Sequence, residues 1–140
     1  MDQTIVNLYF EVDVPANAIR SCNGGGKGVV SCRVKRPAKY DHKAVYSVSF
    51  AFCSPKDNFS RPKAREITEA RMLNGHSINV KLREKRPLNE VVGFAIKKLL
   101  REPSNGYAIP EWIEYNIIPD SDGQPRSIRM NQRRPRAHGR

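Results

Sequence analysis

Residues 4–14 read TIVNLYFEVDV. Val6, Leu8, Phe10, Val12 and Val14 alternate with Asn7, Tyr9, Glu11 and Asp13. A period of two over five apolar positions predicts a half-buried β-strand. Pro15 ends it, because proline cannot donate to a strand ladder. This stretch decides the fold, because the same pattern returns twice before any helical periodicity begins.

Asn23-Gly24-Gly25-Gly26 closes a loop over residues 15–27, and GVVSCRVKR follows at 28–36. Val30, Cys32 and Val34 share one side of this second strand; Ser31, Arg33 and Lys35 share the other. Residues 44–53, AVYSVSFAFC, are the third strand, with Tyr46, Val48, Phe50 and Phe52 on one side. Ser54-Pro55-Lys56-Asp57-Asn58 is turn chemistry. Ser60 then stands as N-cap before a helix from Arg61 to Leu73, with Ala64, Ile67, Ala70 and Leu73 as its expected buried stripe. Residues 77–85, SINVKLREK, alternate again as a fourth strand. Pro87 to Glu102 is strongly helical, with Leu88, Val91, Val92, Ala95 and Leu99 in one stripe and Lys97, Lys98 and Arg101 near its C-terminus. Residues 107–118 are apolar without clean period, and predict a short helix or strand anchored by Trp112.

The expected fold is therefore α+β: an antiparallel sheet of about four strands in β-β-β-α-β-α order, both helices on one face, over residues 1–118. Residues 119–140 change character. They hold Arg126, Arg129, Arg133, Arg134, Arg136 and Arg140, no lysine, and Pro and Gly between them. A flexible basic C-terminal arm is expected there.

Composition narrows the function. Among 140 residues, 25 are Lys or Arg and 14 are Asp or Glu, a formal net charge of +11. The sequence pI is near 10.0 and the mean hydropathy −0.63. No apolar run approaches the roughly 18 residues that span a bilayer, and the periodic apolar blocks argue against a wholly disordered chain. Cys22, Cys32 and Cys53 are too few and odd in number for a secreted disulfide scaffold. A Cys22–Cys32 bridge across the Gly-rich turn is geometrically open, but three reduced thiols is the plainer reading. The first residues lack the basic and apolar regions of a signal peptide, so a cytoplasmic protein is expected.

Between the third strand and the first helix runs Phe52-Cys53-Ser54-Pro55-Lys56-Asp57-Asn58-Phe59-Ser60-Arg61, continuing to Glu69-Ala70-Arg71. Over residues 47–73 this resembles a pattern in small bacteriophage and mobile-element proteins to which no chemistry is attached. The resemblance implies a phage-type regulator or inhibitor working in the cytoplasm of a host cell.

Catalytic constellations are incomplete. The element order is also the opening of a ribonuclease H-like fold, whose metal-dependent nuclease chemistry needs three or four converging carboxylates. Asp13 with Glu66 or Glu69 supplies two, and the fourth strand offers only Glu84. His42, His76, His138 and the cysteines show no metal-ligand spacing. Cys53 with His42 or His76 has no signature of a thiol dyad. Gly24 to Gly28 lacks the spacing of a phosphate loop and reads as a hairpin turn. Trp112, Tyr107 and Tyr115 are expected to fill a core edge, with stacking on bases as the alternative.

The expectation is a non-catalytic nucleic-acid-binding protein without cofactor or metal, making phosphate contacts and little sequence readout. Its candidate contacts are Arg33, Lys35, Lys81 and Arg83 on strand faces, Arg61, Lys63 and Arg65 at the first helix start, and Arg126, Arg129, Arg133, Arg134 and Arg136 in the arm. A helix start exposes N–H groups to anions; in the plainer alternative Asp57 or Ser60 caps them and the cations are merely solvated. The partner is nucleic acid of either kind, with no membrane. The alternative is an inhibitor that binds a host nucleic-acid-processing protein.

Overall fold

The computed structural model describes residues 4–15, 26–102 and 106–133. Its elements run β1 (Ile5–Val14), β2 (Gly26–Lys35), β3 (Val45–Cys53), α1 (Arg61–Leu73), β4 (Ile78–Lys81), α2 (Leu88–Arg101), α3 (Glu111–Glu114), β5 (Ile117–Pro119), β6 (Pro125–Ile128) and β7 (Asn131–Gln132). The three alternating stretches pair in sequence as an antiparallel meander, Phe10 opposite Val30 and Val30 opposite Phe52. β4 joins the β3 side and β7 the β1 side, giving the order β4-β3-β2-β1-β7. β5 and β6 form a separate two-stranded hairpin. The α+β class with an antiparallel sheet is thus the one the alternation implies.

Side-chain parity sorts the two faces of the sheet. The even-numbered residues Phe10, Val12, Val30, Val34, Tyr46, Val48, Phe50 and Val80 are buried and meet Val91, Val92, Ala95, Ile96 and Leu99 of α2. Trp112, Ile113 and Ile128 complete this core. The odd-numbered face carries small and polar groups, among them Ser31, Ser49 and Ala51, all buried. α1 lies on that face, with Ala64 packed against Tyr9 and Val29. The Ser49 hydroxyl donates to the Thr68 carbonyl at 2.7 Å.

The two long helices therefore cover opposite faces of the sheet, not one face. The reason is visible in the helices. α2 has a wide apolar stripe that demands the aliphatic face. α1 buries only Ala64 and Thr68, one turn apart, and these fit a floor of serines. The spacing-of-three stripe expected for α1 does not form: Ile67 is partly open and Leu73 is 79% exposed. The fourth strand is shorter than its alternation implies, ending at Lys81.

The segment expected as a flexible arm from residue 119 is folded as far as it is described. Asp120 accepts from the backbone of Asp122 and Gln124, closing the β5–β6 turn. Arg101, at the end of α2, pairs with Asp120 and donates to the Pro125 carbonyl. Asn116, buried, donates to the Asp13 carbonyl at 2.6 Å. These non-local bonds hold a segment whose own composition is poor in apolar anchors. Arg134, Arg136 and Arg140 lie outside the described residues, as do Cys22 and the Gly24-Gly25 part of the turn. Cys32 is a buried free thiol. Among the described residues no helix is long and apolar enough to cross a membrane.

Candidate functional site

Tyr9 occupies an odd-numbered position in β1, so its ring lies on the α1 side of the sheet. The chain entering α1 brings Phe59 edge-on to that ring, with centroids 5.6 Å apart and planes at 68°. Ser60 follows in extended conformation, and its hydroxyl accepts from the Lys63 N–H at 3.4 Å. The first turn of α1 contains no acidic residue. Arg61 and Arg65 are one turn apart and so share a helix face. The Arg61 guanidinium stacks 4.6 Å from the centre of the Tyr9 ring, and Arg65 Nη1 reaches the Tyr9 hydroxyl at 3.5 Å.

The third arginine comes from the far end of the sequence. β7 runs antiparallel to β1, with Phe10 opposite Gln132. The next residue, Arg133, donates its backbone N–H to the Tyr9 carbonyl at 2.7 Å. Its guanidinium stands 5.0 Å from the Phe59 ring centre, and its Nε is 3.4 Å from Glu11 Oε2. Three guanidinium groups thus gather about two aromatic rings, with Glu11 as the local acid. A groove of about 250 Å³ opens beside them, floored by Asn7 and Tyr9 and walled by Arg61, Gln132 and Arg133.

A guanidinium stacked on a ring is held by about 0.5–1 kcal/mol at exposed sites and loses little donor capacity, because its N–H groups lie in its own plane. Such a group is preorganised for a phosphate or carboxylate. Capping by Ser60 also takes place, so the cap and the cationic cluster coexist. Lys63 is exposed on the other side of Phe59, where a second groove of about 400 Å³ is lined by Cys53, Asp57, Ser60 and Ile67. Burial, and then the Asp57 charge, push the Cys53 thiol upward, away from thiolate.

No family model, curated protein or solved structure matches the chain. The site must be read from its own residues.

The remaining sequence candidates do not join it. Arg33 sits on the odd-numbered face, opposite Asn7 and Ser49. Its side chain is only 14% exposed and pairs with Glu69 at 3.5 Å, while its Nε is buried without a partner. The strand face expected to lie open as a basic surface is covered there by α1. Lys35 is exposed at the end of β2, Lys81 on the outer strand, and Arg83 in the connection after it. Arg126 and Arg129 are exposed on and beside β6, whose hairpin packs on α2.

The carboxylates weighed for a nuclease do not converge. Asp13 pairs with Lys27 at 3.5 Å, and Glu69 with Arg33, whose β1 neighbour is Asn7. Asp13 and Asn7 are separated by roughly 20 Å of strand. Among the described residues, no group of three or more His, Cys, Asp or Glu is placed to hold a metal. Trp112 is core, Tyr107 is half-buried with its hydroxyl bonded, and Tyr115 is 57% exposed on the surface.

Tyr9, Phe59 and Glu11 are site residues that periodicity alone does not select. The available signal is Tyr9 itself, an aromatic ring among Asn7, Glu11 and Asp13 on one side of an alternating strand. Nothing local marks Arg133 as the neighbour of Tyr9.

Proposed function

We propose that the protein binds nucleic acid without cleaving it, by phosphate contacts from the Arg61, Arg65 and Arg133 cluster. The observation that carries this reading is their convergence on Tyr9 and Phe59 from two distant parts of the chain. Lys63, at the neighbouring groove, is a further cation of the α1 start. In the sequence Arg134, Arg136 and Arg140 come within seven residues after Arg133. A net charge of +11 supplies long-range attraction to any polyanion. The contacts are to backbone, so sequence preference is weak.

The test is a salt titration of binding to labelled single-stranded DNA, duplex DNA and RNA. Arg61→Glu with Arg65→Glu is compared with Lys97→Glu and Lys98→Glu, which change net charge equally. Separated surface charges are largely screened beyond ~8 Å at physiological salt. The Arg61/Arg65 reversal is therefore expected to weaken binding several-fold more than the lysine reversal. Equal losses would reduce the cluster to part of a diffuse field. Labelled DNA and RNA incubated with Mg²⁺ or Mn²⁺ are expected to stay intact; cleavage lost in Asp13→Asn would overturn the non-catalytic reading.

A further inference from the structure

Ser31 and Ala51 stand opposite each other in β2 and β3, on the face that α1 covers. Side chains this small leave depth between the sheet and the start of α1. The groove there, about 400 Å³, falls in the range of small-molecule sites, ~300–1,000 Å³. Phe59 and Ile67 line it with apolar surface, and Ile67 is 36% exposed. Asp57, Asn58 and Lys63 supply polar groups; Asp57 and Lys63 are the charged residues of the lining, and their signs are opposite. Phe59 also carries the Arg133 guanidinium, 5.0 Å from its ring centre. The groove and the arginine cluster therefore meet at one aromatic residue.

We propose that this groove takes an unpaired nucleobase of a strand whose phosphates lie on Arg61, Arg65 and Arg133, which rests on the reading of that cluster as a phosphate site and makes single-stranded nucleic acid the ligand class. A base is flat, apolar on its faces and polar at its edge. Phe59 and Ile67 suit the faces; Asp57 and Asn58 suit the donors and acceptors of the edge. A phosphate does not suit the groove, because the Asp57 carboxylate repels it and the apolar lining offers it no donor. One sugar joins a base to its phosphate, so a strand can fill the groove and the cluster from the two sides of Phe59. A base held in a duplex reaches the groove only after unstacking and unpairing, so the groove selects the state of the strand. Stacking on an aromatic ring tolerates every base, in keeping with a weak sequence preference.

The experiment uses ¹⁵N-labelled full chain, a short deoxythymidine strand, and an abasic strand with the same number of phosphates. The intact strand is expected to bind about tenfold more tightly than the abasic one, as one stacked base contributes. Amide shifts at residues 51–53 and 58–67 are expected to be much larger with the intact strand, whereas Tyr9 and Arg133 respond to both. The deoxythymidine strand paired with deoxyadenosine is expected to leave residues 51–53 unshifted. Ile67→Trp fills the groove without changing charge, and is expected to bring the intact strand down to the affinity of the abasic one. Should that variant fail to fold, the two strands compared on the wild-type chain still decide. The proposal is overturned by equal affinity of intact and abasic strands, or by a folded Ile67→Trp that weakens both alike or neither. It is also overturned if N-acetyltyrosinamide shifts the groove amides more than thymidine does at equal millimolar concentration, which would assign the groove to an aromatic side chain of a protein. Equal, salt-dependent binding of both strands that is lost in Arg61→Glu with Arg65→Glu would remove the base site and leave the phosphate site standing. Failure of both strands to bind would remove both.

Discussion

Gly28 has no room for a side chain. A Cβ there would fall 2.6 Å from Cη2 of Trp112, whose ring lies against the strand. Since a buried tryptophan moves only with its neighbours, Gly28→Ala is expected to cost ~1–3 kcal/mol, as overpacking does. Gly93 in α2 is the opposite case, with nothing within 4 Å of its would-be Cβ. Gly93→Ala is expected to stabilise by roughly 0.5–1 kcal/mol, because alanine loses less backbone entropy in a helix. Urea unfolding followed by the fluorescence of the one tryptophan measures both. Tyr107 is a third residue-scale device. Beyond the reach of β4, the Phe50 N–H donates to the Tyr107 hydroxyl at 3.0 Å, and that hydroxyl donates to the His76 carbonyl at 2.5 Å. Tyr107→Phe leaves both backbone groups without this partner and is expected to cost ~1–3 kcal/mol in the same assay.

Among the elements, the β5–β6 hairpin depends on a carboxylate. Partial desolvation pushes the Asp120 carboxyl up, but the Asp122 and Gln124 N–H groups and Arg101 outweigh it and hold the group below its ordinary value. A lowered native value stabilises the fold above the ordinary carboxylate range, and that contribution is lost as pH falls through the native value. Wild-type protein is therefore expected to lose more thermal stability than Asp120→Asn between about pH 5 and about pH 2. Equal acid sensitivity of the two would remove Asp120 from the hairpin's support.

This hairpin also marks what was legible from sequence. β1, β2, β3 and α2 have strict periods of two or 3.6, and each forms where that period stands. α1 was legible in position, from Ser60 and Pro62, but not in orientation. Its buried face is Ala64 and Thr68, and a pattern search weights Ile67 and Leu73 instead. Only the serine floor of the sheet explains the choice. The strands after Pro119 carry little apolar signal; Arg101, Asn116 and Asp120 hold them by long-range bonds. Of the candidate site, Arg61, Lys63 and Arg65 were legible as a cationic helix start. Their union with Arg133 was not, because it rests on a strand pairing between distant residues.

At the scale of the whole molecule, positive charge is dispersed and gathers about aromatic rings at one edge. Arg33 is tied beneath α1 and Arg126 belongs to the hairpin side, whereas the Tyr9 cluster lies at the β1–β7 edge. Deleting residues 134–140 removes Arg134, Arg136 and Arg140 while leaving every described bond of Arg133 in place. At ~0.9 per neutralised phosphate on duplex DNA, the salt slope is expected to fall by no more than about 3. A slope that vanishes would shift the binding site wholly into that segment, and an unchanged one would leave it to the folded cluster.

The pairing of β1 with β7 has a bearing on synthesis. β1 leaves the ribosome well before β7, and its outer edge waits until Asn131 and Gln132 have followed. Contacts of such separation form late, because the loop they close must be ordered first. Until then Tyr9 lacks its Arg133 neighbour, and the edge of β1 is open to other strands. A nascent chain can fold its meander early, yet it carries no finished cluster until Arg133 has joined the β1 edge.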